Sequence, residues 1–422
     1  MDDPRERVRR AVDELAGEIV EFTRELLRIP TVNPPGAFYP DAARAIGARL
    51  AAGGFAVEYL PAEGRPEHTA AHPRVNVVGR REGSGPGPVV HLNGHFDVVP
   101  AGEGWTVDPF GGLVADGRVW GRGASDMKAG LAAAVYAAEA LRRAGIAPPG
   151  AIEVSGTVDE ESGGFAGVAW LAERGHLARA DCVIIPEPLG VDRVCIGHRG
   201  VWWFAVTTRG RTAHGSMPFL GASAIEQMGV VLEALRTELQ PALASRVTAM
   251  PVVPEGAGRA TLNVNGVSGG QPVDGIQTPC VADVCRAVFD RRFLIEEAFP
   301  SVRAEVAALL ERTAARVPGL RFELEDLMVV HPVQAPAGSP LVAALRRTVA
   351  EVRGREAAIV ASPGTYDHKH VARIAGIEHC VAYGPGVLEL AHQPDEWCAV
   401  ADLLDATRVL ALTLLDLGTI RV

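Results

Sequence analysis

His95 and Asp97 flank Phe96 at the end of the strand-like run Pro88-Val89-Val90-His91-Leu92-Asn93-Gly94. Two residues apart on an extended segment, their side chains point to the same side, so the imidazole can bind a metal ion while the carboxylate braces it. By itself the triplet also reads as a polar strand cap.

Further acids and a histidine recur at comparable places. Asp126 lies in the glycine-rich turn Val119-Trp120-Gly121-Arg122-Gly123-Ala124-Ser125-Asp126 and opens an alanine-rich helical stretch, Leu131 to Ala144, where it could merely cap the helix. The strand Ala151 to Val158 runs into Asp159-Glu160-Glu161, three acids that repel unless cations or water neutralise them. The strand Ala180 to Ile185 ends in Pro186-Glu187-Pro188, and His392 sits in a loop before a helical segment. In an open α/β sheet the carboxyl ends of strands form the ligand crevice, so His, Asp and Glu are delivered to one place. Two imidazoles with several carboxylates form a nitrogen and oxygen donor set that suits zinc.

This ordered series resembles a known family, the dinuclear zinc amidohydrolases that include acetylornithine deacetylase, succinyl-diaminopimelate desuccinylase, aminoacylase and the glutamate-releasing carboxypeptidases. The resemblance runs from Glu25-Leu26-Leu27-Arg28-Ile29-Pro30-Thr31-Val32-Asn33-Pro34-Pro35-Gly36 to the His392 segment. It implies two Zn²⁺, with Co²⁺ or Mn²⁺ as possible substitutes. Asp126 would bridge them, with His95 and Glu187 on one ion and Glu161 and His392 on the other. Glu160 is then implied as the general base acting on a water held between the metals, Asp97 as the residue that orients His95, and Asp159 as a structural turn acid.

The elements that must position these residues follow from the pattern. Helical Glu6 to Ile29 and Asp41 to Gly53 alternate with strands at Phe55 to Leu60, Arg74 to Gly79 and the motif strands. The expectation is a mainly parallel α/β catalytic domain with helices on both faces, made of residues 1–193 and 332–422. From Arg193 the chain reads as strand Val201 to Thr208, helix Ala222 to Leu239, strands near Thr261 to Val267 and Cys280 to Phe289, helix Ile295 to Arg316, and strand Leu320 to Val330. That is an inserted α+β lid or dimerisation domain, residues 194–331, with a four-stranded antiparallel sheet and two helices.

Within this lid the resemblance implies that His214, in Gly210-Arg211-Thr212-Ala213-His214-Gly215, reaches the substrate's carbonyl oxygen, in the family across a dimer interface. Asn263 and Arg292 match positions that bind the substrate carboxylate. After the lid, Ser362-Pro363-Gly364-Thr365-Tyr366-Asp367-His368-Lys369 resembles a desuccinylase loop that touches substrate through Gly364 and Thr365. Proline and lysine there replace the usual glycine and arginine, and Asp274 stands where an asparagine is usual, which leaves the acyl group open. His368 and His370, alternating with Lys369, read as surface or supporting residues, and Trp202-Trp203 as packing for the lid sheet.

The 422 residues are 48% hydrophobic and 22% charged, with a net charge of -10. An acidic chain without a long basic run does not suit nucleic acid, and the absence of any apolar stretch of about 18 residues excludes a membrane helix. The acidic start Met1-Asp2-Asp3 is unlike an export signal, so the cytoplasm is expected. Six scattered cysteines without a Cys-x-x-Cys pair read as buried small side chains. The function expected is deacylation of an N-acyl amino acid or related small amide by a homodimeric enzyme. The alternatives are a dipeptidase or glutamate-type carboxypeptidase and, more remotely, a binding module without turnover.

Overall fold

The computed structural model describes residues 3–270 and 279–418, so Asp274 lies outside the described residues. The chain divides into two compact units, one of Met1–Gly197, Gln334–Val360 and Tyr366–Val422, the other of His198–Val333 and Ala361–Thr365.

The first unit is built on a large mixed sheet. Its central strand Val89–His95 pairs in parallel with Ala151–Thr157 on one side and Cys182–Ile185 on the other, and Cys380–Ala382 continues the parallel run. Ala56–Pro61 and Val75–Glu82 extend it antiparallel on one side. Beyond Cys380–Ala382 lie Arg193–His198 and Val333–Gln334. This is the mainly parallel α/β architecture expected, with the antiparallel edge common in such sheets.

Alternation along Val89–His95 separates the two faces. A Cβ on Gly94 would lie 3.1 Å from Leu131 of the helix Lys128–Arg143, so even positions face that helix. That helix packs with Pro4–Leu27 and Val400–Leu417, and Pro340–Arg353 joins them through Val400–Leu417, burying a common apolar core. The first of these helices begins under Asp3, whose carboxylate accepts from the amide of Arg5, with Pro4 at its first position. Its stripe Val8, Val12, Leu15, Ile19 and Phe22 is buried at helical spacing. The odd positions His91, Asn93 and His95 face the other way, where Asp367 precedes the helix His368–Arg373.

A second, three-stranded sheet was not foreseen. Arg118–Trp120 lies between Leu113–Ala115 and Trp397–Ala399, antiparallel to both. It joins two stretches that are remote in sequence, because Gly121 to Asp126 leaves one strand and His392 to Glu396 enters the other.

The second unit has the four-stranded antiparallel sheet expected, in the order Thr261–Gly269, Val284–Phe293, Gly200–Arg209, Phe322–Val330. Trp202, Phe204 and Phe289 stack through its buried face with centroids 4.1 and 4.8 Å apart, whereas Trp203, on the opposite side of the pleat, is exposed. Only Trp202 therefore packs the unit's core. The helices are Ala224–Ala234, prolonged to Ala244 through a wide turn, and Phe299–Arg316. The second begins four residues later than its apolar pattern suggests. Glu297 instead closes a turn by accepting from the amide of Leu294, and Pro300 fixes the first helical turn. Ala361–Thr365 joins this unit because Val252 bridges Ala361 and Arg199 donates to the carbonyl of Pro363 at 3.1 and 3.3 Å.

Among the described residues no helix is long and apolar enough to cross a membrane. Cys182, Cys195, Cys285, Cys380 and Cys398 are buried, and Cys280 is exposed.

Candidate metal centre

Each acid and histidine of the candidate site sits where regular structure stops. His95 is the last residue of its strand, Glu161 lies in the tight turn Glu160–Ser162 after Ala151–Thr157, and Glu187 follows Cys182–Ile185. Asp126 precedes the helix Lys128–Arg143 but does not cap it, since the cap position is Met127 and no side chain bonds there. The helix starts close to the Glu187 turn because residue 130 is glycine. A Cβ at Gly130 would stand 1.9 Å from the carbonyl oxygen of Pro186.

The side chains converge as two overlapping triplets, His95 with Asp126 and Glu187, and Asp126 with Glu161 and His392. Within each triplet the ligand atoms lie within 4.8 Å of one another. Asp126 belongs to both, and its two oxygens diverge. Oδ1 is 3.2 Å from His95 Nε2 and Oδ2 is 3.6 Å from His392 Nε2. Glu161 Oε2 is 3.0 Å from the same His392 nitrogen.

Three buried or half-buried carboxylates this close need positive charge. Burial and Asp126 push Glu187 well above the usual carboxylate range, and the same causes push Glu161 up to about 7. Burial also pushes Asp126 up, but His95 outweighs it through a hydrogen bond and its charge, and holds Asp126 low. His95 is raised despite burial by Asp126 and Asp97, and His392 is raised chiefly by its bond to Glu161. Glu187 Oε1 is buried without a hydrogen-bond partner. An orphaned carboxylate oxygen beside an imidazole and a second carboxylate fits a divalent ion, and the mixed donor set suits zinc.

The residues around these triplets fix their aim. His95 Nδ1 is 3.0 Å from the backbone carbonyl of Asp97, which keeps Nε2 free for a metal. The Asp97 carboxylate is farther, at 3.4 Å, and accepts instead from the amides of Glu160 and Glu161 at 3.1 and 3.2 Å. Asp97 therefore holds the acid turn as well as facing the histidine. Asp159 turns away from the centre into a buried nest, accepting from Tyr39 at 2.8 Å and Arg74 at 2.9 Å.

Several contributors escaped the sequence reading. Lys369 is buried, and its Nζ is 3.3 Å from Glu160 Oε1. His368 and His370 are also buried, with pKa values lowered by burial to about 3 and about 4, and His370 contacts the Gly163 carbonyl at 2.7 Å. A polar ladder crosses the sheet: Glu153 meets His91 at 2.9 Å, and His91 meets Ser155 at 2.8 Å. Ser155 donates to Asn93 at 2.7 Å, and Asn93 donates to Asp367 at 2.9 Å. Burial and Glu160 push Asp367 up to about 7. The signal was the alternation His91, Asn93, His95 on one strand and Glu153, Ser155 on its neighbour.

The remaining named residues belong to the second unit. His214 is exposed, and its Nδ1 accepts from the hydroxyl of Ser216 at 2.7 Å. Asn263 is exposed on the outer strand and donates to Asn265 at 2.7 Å. Arg292 is forked onto Asp290 at 2.7 and 2.9 Å, so any incoming carboxylate competes with that partner. Gly364 donates its amide to Ser362 at 3.2 Å, and Thr365 beside it is half-buried.

Comparison with known proteins bears on this geometry. Residues 91–416 match the family described as peptidase family M20/M25/M40. A succinyl-diaminopimelate desuccinylase of Leptothrix cholodnii is 32% identical over 402 residues, covering 91% of this chain and 94% of that one. The di-peptidase Dug1p of Saccharomyces cerevisiae superimposes with a TM-score of 0.78 at 17% identity, covering 98% of each chain. The YXEP protein of Bacillus subtilis, described as a dinuclear metal binding peptidase, gives a TM-score of 0.70 at 18% identity, covering 97% of this chain and 100% of that one. These two likenesses are of fold.

Proposed function

The chain belongs to the peptidase family M20/M25/M40, a family of hydrolases, and on that premise we propose that it is a two-zinc deacylase that cleaves the amide of an N-acyl amino acid. The observation that carries this reading is Asp126, whose two oxygens address two different histidines, each with its own further carboxylate. His95, Asp126 and Glu187 would hold one ion, and Asp126, Glu161 and His392 the other. Bound there, divalent ions supply Lewis-acid polarisation of the scissile carbonyl and make a nearby water more acidic.

The protein's own groups then have separable tasks. Glu160 takes a proton from the attacking water and returns it to the leaving nitrogen, so that one C–N bond breaks as a carboxylate and an amine form. Lys369, against Glu160 Oε1, leaves the other carboxylate oxygen for that transfer. Asp97 fixes the turn through the amides of Glu160 and Glu161. His214 is assigned to the carbonyl oxygen, and Asn263, Arg292, Gly364 and Thr365 to the rest of the substrate. The protein is read as a cytoplasmic homodimer that pairs through its second unit.

The desuccinylase relative favours an acidic acyl group on the substrate. Zinc-loaded protein is to be assayed on N-succinyl and N-acetyl amino acids and on dipeptides. Higher kcat/KM on the acylated amino acids is expected. Preference for dipeptides would replace deacylase with dipeptidase, and no hydrolysis of any of them by metal-replete protein would favour a binding module.

A further inference from the structure

Asp126 and His392 reach the centre from two loops that the three-stranded sheet brings side by side, with Trp120 opposite Trp397. A buried ion pair, Arg122 with Glu396, then ties the loops together. Glu396 Oε1 accepts the amides of Gly123, Ser125 and Asp126 at 3.1, 2.8 and 3.0 Å, and its other oxygen receives Arg122. Three amides on one carboxylate oxygen fix the turn that presents Asp126, because each bond is charge-assisted and desolvated. Arg122 also donates to the carbonyls of His392, Gln393 and Ala101, each at 3.2 Å. One ion pair therefore holds the backbone of both loops.

We propose that Glu396 and Arg122 are positioning residues that set the affinity of one metal position, that of Asp126, Glu161 and His392, far more than that of the other. The asymmetry follows from how the ligands are carried. His95 and Glu187 hang from the ends of paired parallel strands, and among the described residues the side-chain hydrogen bonds of Arg122 and Glu396 go to other partners. His392 instead lies in a loop at φ 65 with its side chain 49% exposed, and its backbone carbonyl is gripped by Arg122. Loosening the clamp frees His392 and tilts Asp126 away from it, while Asp126 Oδ1 retains its contact with His95.

This inference rests on the two-metal reading, and one titration separates the two. Chelator-stripped protein is titrated with Co²⁺ and followed by visible absorption, with thermal unfolding of the stripped protein measured in parallel. The unmodified chain should bind two ions, and failure to do so would remove the two-metal reading itself. In Glu396→Gln the carboxylate charge is lost but an acceptor oxygen stays. The second binding step should weaken about tenfold or more while the first stays near that of the unmodified chain. Equal weakening of both steps, or a lowered unfolding temperature with both steps intact, would reduce the pair to a structural brace and overturn the proposal. Should the Gln variant fail to fold, Arg122→Lys, which keeps the charge but loses the fork to the two carbonyls, must show the same split.

Discussion

Asp159 and Glu187 are both buried acids just beyond parallel strands of one sheet, yet their surroundings are opposite. Asp159 is saturated by a guanidinium, a phenol and the Asn33 amide. Glu187 keeps an oxygen with no partner, and its neighbours are other acids and His95. A carboxylate that the chain itself satisfies is architecture, whereas one left in deficit is addressed to something from outside.

The sharpest way to break this comparison is at the residue between the two regions. Glu160→Ala should lower kcat by about 10³-fold, the usual scale for a proton-transfer group. Its zinc content by elemental analysis should stay near two per chain, and loss of zinc would move Glu160 among the ligands. Next, Asp159→Asn should cost about 3 kcal/mol in denaturant unfolding, since Arg74 is left buried without its charge partner. Folded Asp159→Asn should still bind two metals. Glu187→Gln should do the reverse, losing one metal while the stripped protein is no less stable than the parent.

The smallest effect is in pH. For stripped protein, Glu161 has a folded pKa of about 7, raised from 4.5. A raised carboxyl pKa gives stability that is fully present below the unfolded value and lost as pH rises through the folded one. The stripped protein should therefore weaken between about pH 4.5 and 7, and zinc should abolish that slope because a bound ligand must be ionised. A slope unchanged by zinc would place Glu161 outside the centre.

Much of this arrangement was legible in the sequence because ligands follow strands, and strands declare themselves by apolar runs. The strand ends marked His95, the Asp159-Glu160-Glu161 cluster and Glu187, and the glycine-rich turn marked Asp126, whereas the choice of Glu161 among its neighbours came from the family resemblance. What stayed hidden depends on tertiary direction. Lys369 and its flanking histidines alternate like a solvated face, but the first turn of a short helix aims them inward. Glu396 lies next to Asp395 with nothing local to distinguish them, and the pairing of Trp397–Ala399 with Arg118–Trp120 buries the first and leaves the second half-buried. The Asp290 partner of Arg292 was within reach, since positions two apart on a strand share a face.

The polar ladder across the sheet has a consequence for how the chain finds its fold. In the pairing of Val89–His95 with Ala151–Thr157, His91 meets Glu153, Asn93 meets Ser155 and His95 meets Thr157. A slip of one residue would turn one strand's polar set into the apolar layer and strand every member without a partner. The alignment that assembles the catalytic edge is thus proofread along its length, and a misaligned chain fails before it can present an incomplete centre.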